Sequence, residues 1–452
     1  FKFSNWHIRK LTHYNFFLPY YEPLLLLKKI FFMKNRTSSY IIPIIILGVL
    51  FFIFGFVTWL NGTLIPYLRI ACELNTFQSL LVTFAFYISY FVMAIPSSWV
   101  LKKTGFKKGM MLGLLVMAVG ALLFVPAALS RTYLLFLTGL FIIGTGLSVL
   151  QTASNPYITI LGPIESAAKR ISIMGICNKV AGVLAPLVLG AIVLSDADHL
   201  VEKLTSVDTV EKALLLDGLA SRVIIPYVII ASVLMGLALM VRFSPLPDIE
   251  KENDADAATK NIVEKTSVFQ FPNLVLGVIA LFLYVGVEVL AGDTIGNYGL
   301  SQGIPLSEAK NFTAFTLAAM VIGYIIGIIS IPKFISQSKA LTISAVIGIV
   351  FSLLALFTSG YTSVFFIALL GLANALVWPA IWPLALNGLG NFIKIASALL
   401  IMAIAGGALL PLLYGKLADI SFIGAQNAYW ILIPAYIFIL FYSIKGYKIK
   451  KW

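Results

Sequence analysis

The sequence predicts an all-α integral membrane protein with twelve membrane-spanning helices in two halves of six. Three observations lead to this prediction. The 452 residues are 60% hydrophobic and only 11% charged, whereas a soluble chain carries about a quarter charged residues. The apolar residues occur in blocks of about 20, the length that crosses a bilayer. One long polar segment, residues 243–268, divides the blocks into six and six.

We number these blocks spans 1 to 12 in chain order. Their predicted bounds are 41–68, 77–101, 109–129, 133–160, 171–194, 223–242, 272–298, 308–332, 340–358, 362–387, 393–415 and 424–445. Lys and Arg are concentrated in the loops on the side of Met33, such as KKTGFKK (102–108), and are scarcer on the other side. Because excess Lys and Arg marks the cytoplasmic side, both termini are predicted to be cytoplasmic.

The net charge of +13 therefore reflects orientation in the membrane. Nucleic-acid binding is not expected, because no basic patch alternates with exposed aromatic residues. The two cysteines, Cys72 and Cys177, lie in or near different spans, so we expect no disulfide between them. No CxxC or HExxH spacing occurs, and we expect neither a metal site nor a cofactor.

The chain is expected to comprise four segments. The first methionine is Met33, so residues 1–32 are expected to be an upstream extension; the alternative is a basic amphipathic segment that rests on the membrane. An N-terminal six-helix bundle is predicted at 33–242, a cytoplasmic linker at 243–268 and a C-terminal six-helix bundle at 269–452. The outer loop 195–222 is acidic and is expected to be partly helical.

The two halves resemble each other weakly in sequence. A shift of 227 residues places Gly144 on Gly371 and Gln151 on Trp378, and so aligns span 4 with span 10. Shifts of 230 and 225 align span 1 with span 7 and span 5 with span 11. Three nearly equal shifts in chain order indicate a parallel repeat, in which corresponding interrupted helices point to a binding site near the middle of the membrane.

Amide and indole side chains interrupt these apolar spans. A buried amide in hydrocarbon needs a partner, and amides combined with flat aromatic faces suit a neutral polyhydroxylated ligand such as a sugar. Alternatively, amides bond neighbouring helices, and tryptophans form interface belts. The predicted substrate-binding residues are Asn61, Gln151, Asn155, Asn178, Trp378 and Trp382.

Two carboxyl groups in span 7 are the candidates for cation coupling. Glu288 lies deep in the span, where a carboxylate marks an ion or proton path by default. A structural pair with Lys179 of span 5 is the alternative, although Lys179 could also extend from the inner end of its span to the membrane surface. Asp293 lies nearer the outer end, where water could solvate it.

Several stretches resemble the fucose–proton symporter family of the major facilitator superfamily, and within it the bacterial glucose/galactose transporters most closely. They are WLNGTLIPYL (59–68), GTGLSVLQTASNPYITILGP (144–163), GVEVLAGDTIGNYG (286–299) and VWPAIWPLALNGLG (377–390). The resemblance implies two six-helix bundles around a central sugar site. It also implies hexose uptake driven by a cation gradient, usually of protons, in the bacterial inner membrane, with a monomer in the lipid bilayer.

Three positions refine this resemblance. The fucose permeases carry acidic residues where this chain has Gly62 and Gln151, whereas Asn178 matches an Asn of their pattern. The Gln favours the glucose/galactose branch. Because both acids are absent, the resemblance moves the expected coupling group to Glu288 and leaves sodium open beside the proton.

Other functions remain open on the sequence alone. They are import of fucose or N-acetylglucosamine, export of a small solute, and an integral-membrane enzyme. Against an enzyme, the spans contain no paired carboxylates, metal ligands or nucleophile–base arrangement at one depth.

Overall fold

The computed structural model describes residues 42–160, 167–246, 267–331, 333–389 and 392–451. The expected extension 1–32 and most of the linker 243–268 lie outside these ranges. Within them all regular structure is helical. Helices satisfy their own backbone hydrogen bonds, as crossing a bilayer requires.

The N-terminal half contains spans 1 to 6. Its long helices are Ile42–Ala71 (span 1), Leu81–Leu122 (spans 2 and 3), Tyr133–Ile160 (span 4), Ala167–Val193 (span 5) and Ile224–Phe243 (span 6). Its short helices are Thr76–Ser79, Phe124–Leu129, Ala197–Ser206 and Thr209–Ser221. The last two confirm that the loop 195–222 is partly helical. Asp208 caps the second of them, accepting a hydrogen bond from the Glu211 backbone N–H.

The C-terminal half contains spans 7 to 12, and three of these are interrupted helices. They are Pro272–Asp293 with Ile295–Ser301 (span 7), Phe312–Ser330 (span 8), Gln337–Phe357 (span 9), Gly360–Asn374 with Val377–Leu386 (span 10), Ile393–Met402 with Gly406–Ala418 (span 11) and Leu432–Ile444 (span 12). Short α-helices lie at Leu306–Ala309 and Gly424–Asn427, and 3₁₀ turns at Val268–Gln270, Ala403–Ala405, Ala428–Ile431 and Gly446–Lys448.

The described residues form 11 helices long and apolar enough to cross a membrane, and one of these contains two spans. Helix Leu81–Leu122 has 42 residues, about twice the roughly 20 that a bilayer requires. It reverses direction at Gly105, whose φ of 75° is non-helical. Ser89 before this turn lies against Gly144, and Met117 after it lies against Gly146, so both arms pack on the same part of span 4. The twelve predicted spans are therefore confirmed.

The internal repeat is visible where helices cross most closely. A Cβ on Gly55 of span 1 would collide with the backbone carbonyl of Asn178 in span 5. In the other half, a Cβ on Gly406 of span 11 would collide with the backbone carbonyl of Phe282 in span 7. Gly55 and Phe282 are 227 positions apart, and Asn178 and Gly406 are 228 apart. The crossing of spans 1 and 5 thus recurs between spans 7 and 11. The glycine lies on span 1 in the first half and on span 11, the counterpart of span 5, in the second half.

A second crossing repeats with the same offset. Gly144 of span 4 lies against Ser89 of span 2, and Gly371 of span 10 lies against Thr316 of span 8. Both residues of the second pair are 227 positions beyond their counterparts. The weak sequence repeat therefore corresponds to a repeated helix arrangement.

The two halves contact each other at the ends of the spans that are predicted to face outward. The Asp419 carboxylate, beyond span 11, accepts hydrogen bonds from the backbone N–H groups of Thr76 at 3.2 Å and Phe77 at 2.7 Å. The Asp198 carboxylate accepts one from the backbone N–H of Leu306 at 2.8 Å. These contacts join the halves at this side of the molecule.

Candidate functional site

A buried ion pair connects the two halves near the middle of the spans. The Lys179 Nζ of span 5 lies 2.6 Å from the Glu288 Oε1 of span 7, and both residues are 8% exposed. The Lys179 Nζ also lies 4.5 Å from the centroid of the Trp59 ring. Gly182 and Gly292 leave the space that this ring occupies, because a Cβ on either would collide with it. Spans 1, 5 and 7 therefore meet at one charged and aromatic cluster.

The ion pair corrects one expectation and bears on another. Lys179 does not extend to the membrane surface, because its ammonium group bonds to Glu288 inside the protein. The structural pairing, which was the alternative for Glu288, is present. A buried pair of this kind loses much of its Coulomb gain to desolvation, so it is weak evidence of stability in itself.

Asp293 is fully buried, and the expectation that water solvates it is wrong. The end of span 7 packs against spans 1 and 8 and bonds to span 2, and Asp293 has 0% exposure. Its Oδ2 accepts a hydrogen bond from the Thr83 Oγ1 of span 2 at 3.2 Å, while its Oδ1 has no partner among the described residues. Asn61 of span 1 is also 0% exposed, and neither polar atom of its amide has a described partner.

The two predicted tryptophans of span 10 form a stacked pair. The ring centroids of Trp378 and Trp382 are 5.4 Å apart with an interplanar angle of 25°. Both side chains are partly buried, and the Tyr284 ring centroid of span 7 lies 6.4 Å from that of Trp378. Tyr284 precedes Glu288 by four residues, so the two share a helix face. Span 7 thus joins the stacked indoles to the ion pair.

A polar stripe on span 2 was missed in the sequence. Thr83, Tyr87 and Tyr90 follow a spacing of four and three, which places them on one helix face. Tyr90 accepts a hydrogen bond from the Gln151 Nε2 at 3.2 Å, and Tyr87 lies against Gly407 of span 11. The spacing itself was the available signal. The described hydrogen bond of Gln151 thus joins span 4 to span 2.

Two predicted amides remain, Asn178 and Asn155, and the structure describes the side chain of Asn178 only. The Asn178 Nδ2 donates to the Phe51 backbone carbonyl at 3.4 Å, a bond between spans 5 and 1 of the interhelical kind. The side chain of Asn155 lies outside the described part of the structure.

The cluster is suited to binding rather than to bond-making chemistry. Among the described residues no group of three His, Cys, Asp or Glu could hold a metal ion. Cys72 and Cys177 are both free thiols. What the interior offers is a set of amides, tyrosines and stacked indoles beside one neutral ion pair and one lone carboxyl group.

The architecture defines a secondary transporter of the kind that has two six-helix halves around a central site. The model of the Major Facilitator Superfamily matches residues 47–410. The chain belongs to the Major Facilitator Superfamily.

Curated and solved relatives agree with this assignment. A protein named glucose/galactose transporter, from Brucella abortus, is 34% identical over 423 residues, covering 92% of this chain and 97% of that protein. The L-fucose-proton symporter of Escherichia coli is 30% identical over 389 residues, covering 85% and 89%. The crystal structure of the transporter FucP in the outward conformation has a TM-score of 0.70 and 29% identity, covering 90% and 98%.

These findings confirm the predicted fold class, the predicted family and a transporter rather than an enzyme. The FucP structure is described as outward, whereas here the contacts of Asp419 and Asp198 join the halves at the side predicted to be outer.

Proposed function

We propose that the protein imports a neutral hexose, glucose or galactose, by symport with a proton. The supporting observation is the interior between the halves, where partly buried indoles, tyrosines and an amide lie beside two buried carboxyl groups of span 7. Stacked indoles present flat apolar faces, and amides and phenols both donate and accept hydrogen bonds. A pyranose ring needs both kinds of contact. The names of the relatives from Brucella abortus and Escherichia coli support the same substrate class and ion.

In this proposal the sugar is bound by Asn61, Gln151, Asn155, Asn178, Trp378 and Trp382. The candidates for cation coupling are the two carboxyl groups of span 7, Glu288 and Asp293. The halves then rock around the site, so that it opens to each side in turn. The protein acts as a monomer in the bacterial inner membrane, with both termini in the cytoplasm and domains at 33–242 and 269–452.

Fucose is the second candidate substrate, because the Escherichia coli relative is named for it. Sodium is the second candidate cation. The presence of Gln151 at a position where the fucose permeases carry an acid favours the hexose, and the proton is favoured by the name of the same relative.

The test is uptake of labelled glucose, galactose and fucose into vesicles that contain the purified protein, with a proton or a sodium gradient imposed separately. We expect glucose or galactose to accumulate above its outside concentration when the proton gradient points inward. One pH unit supplies about 1.4 kcal/mol per proton, enough for about a tenfold sugar ratio. Vesicles treated with a protonophore are the control. Absence of gradient-driven accumulation of any hexose would overturn the proposal.

A further inference from the structure

The two carboxyl groups of span 7 differ in whether an opposite charge lies beside them. Glu288 has a counter-ion, because the Lys179 Nζ lies 2.6 Å from its carboxylate. Asp293 has none, since the ion pairs of the described residues do not include it. A fully buried carboxylate without a counter-ion is costly, and the neutral acid is the form that such a site favours.

We propose that Asp293 carries the coupled proton, and that the Lys179–Glu288 pair stays ionised and neutral overall through the transport cycle. This inference rests on the proposed function and divides the roles of its two coupling candidates. The Thr83 hydroxyl already donates to the Oδ2 of Asp293. The Oδ1 has no described partner and is therefore the oxygen free to take the proton.

The position of Asp293 supports alternating access of its proton. It is the last residue of helix Pro272–Asp293, immediately before the interruption at Thr294, and the C-terminal end of a helix dipole disfavours negative charge. Its hydrogen bond to Thr83 joins span 7 to span 2, and so crosses between the halves. When the halves separate on one side, this contact opens and water can reach the carboxyl group.

Among the charged and titratable groups around Asp293, Asp293 itself is the one whose charge changes in this proposal. Tyr87 of span 2, Lys179 of span 5 and Glu288 on its own helix lie within electrostatic reach. On the side of span 12, Tyr429 contacts the neighbouring Thr294 at 2.7 Å between hydroxyl oxygens. The lysine and glutamate cancel, and tyrosines are neutral at physiological pH.

The proton transfer is balanced in a simple way. In the state open to the outside, an outer hydronium ion gives its proton to the Asp293 Oδ1, and an O–H bond forms. In the state open to the inside, that bond breaks and the proton passes to water of the cytoplasm. No electron is transferred, and the neutral acid returns to a carboxylate.

Sugar-induced alkalinisation of a weakly buffered suspension, compared with sugar counterflow, tests this proposal. Counterflow exchanges labelled for unlabelled sugar and needs no proton gradient. Asp293→Asn keeps the shape of the neutral acid but binds no proton. We expect it to lose alkalinisation, to retain counterflow, and to make counterflow independent of pH. Glu202→Gln, at an exposed carboxylate of the outer loop, is the matched control and should behave as wild type.

The second variant is Lys179→Gln with Glu288→Gln, in which two amides can replace the ion pair. We expect its counterflow to be slower than that of wild type, because two residues of the site are replaced, and its alkalinisation per sugar transported to be the same as that of wild type. If this variant does not insert stably, Lys179→Met with Glu288→Leu takes its place with the same expectation.

The outcomes separate the two proposals. Wild-type protein that performs counterflow without alkalinisation overturns proton symport itself, and this assignment with it. Alkalinisation by wild type that persists in Asp293→Asn overturns only the role of Asp293. Loss of alkalinisation with retained counterflow in the paired variant overturns the statement that Glu288 is not the proton carrier.

Discussion

Removal of one partner of the buried ion pair should destabilise the protein far more than removal of an exposed partner. Lys179→Gln leaves Glu288 without a counter-ion, where the two side chains are each only 10% exposed. Breaking a buried pair in this way costs about 3–5 kcal/mol. The matched control is Lys203→Gln, whose pair with Glu211 has side chains 42% and 50% exposed. An exposed pair is worth about 0–1 kcal/mol.

The assay is thermal unfolding of the purified protein in detergent at one scan rate. With an unfolding entropy of about 2 cal/mol/K per residue over 452 residues, Lys179→Gln should lower the apparent Tm by about 3–5 °C. The double variant with Glu288→Gln should recover most of this loss, because no unpaired charge remains. A loss of Tm in Lys179→Gln no larger than in Lys203→Gln would refute a cost of the unpaired buried carboxyl group, and so would a double variant that loses the sum of both single effects.

Three further outcomes follow from single positions. Gly55→Ala puts a Cβ into a backbone carbonyl of span 5 and should lower the free energy of unfolding by about 1–3 kcal/mol. Gly218→Ala, where the space is open, should not lower it. Equal effects in the unfolding assay would contradict the close crossing of spans 1 and 5. Trp378→Leu removes one ring of the stacked pair and should raise the KM for the transported hexose about two- to tenfold, and an unchanged KM would exclude this ring from the sugar site. Burial raises the pKa of the Cys72 thiol to about 11. In a Cys177→Ser background, the rate of maleimide labelling of Cys72 should therefore be slow at pH 7 and rise about tenfold per pH unit as the thiolate forms. A rate that levels off by pH 8 would be inconsistent with this burial.

Helix number, repeat and family followed from the sequence because each depends on local or periodic properties. Apolar length predicts a span wherever it lies. The offset of 227 relied on a few residues, such as Gly144 and Gly371, and these proved to be at equivalent helix crossings. The polar stripe of Thr83, Tyr87 and Tyr90 was equally local, and could have been found by its spacing.

The charges of the site depended on contacts between distant segments. Position in span 7 predicted Glu288 as a carboxyl group on an ion path, with a pair to Lys179 as the alternative, and Asp293 as solvated. The described contacts pair Glu288 with Lys179 and bury Asp293. Lys179 is 109 positions from Glu288, and Thr83 is 210 positions from Asp293. No pattern within one helix specifies which face of a distant helix lies opposite.

The sequence by itself determined that this chain crosses a membrane in two related halves and carries polar groups inside it. Those results follow from hydropathy, spacing and repeat, which the chain contains in linear order. Only the tertiary structure decided which buried carboxyl group has a counter-ion. The energy of a buried charge depends on what lies within a few ångströms of it, and in this protein those neighbours come from the other half.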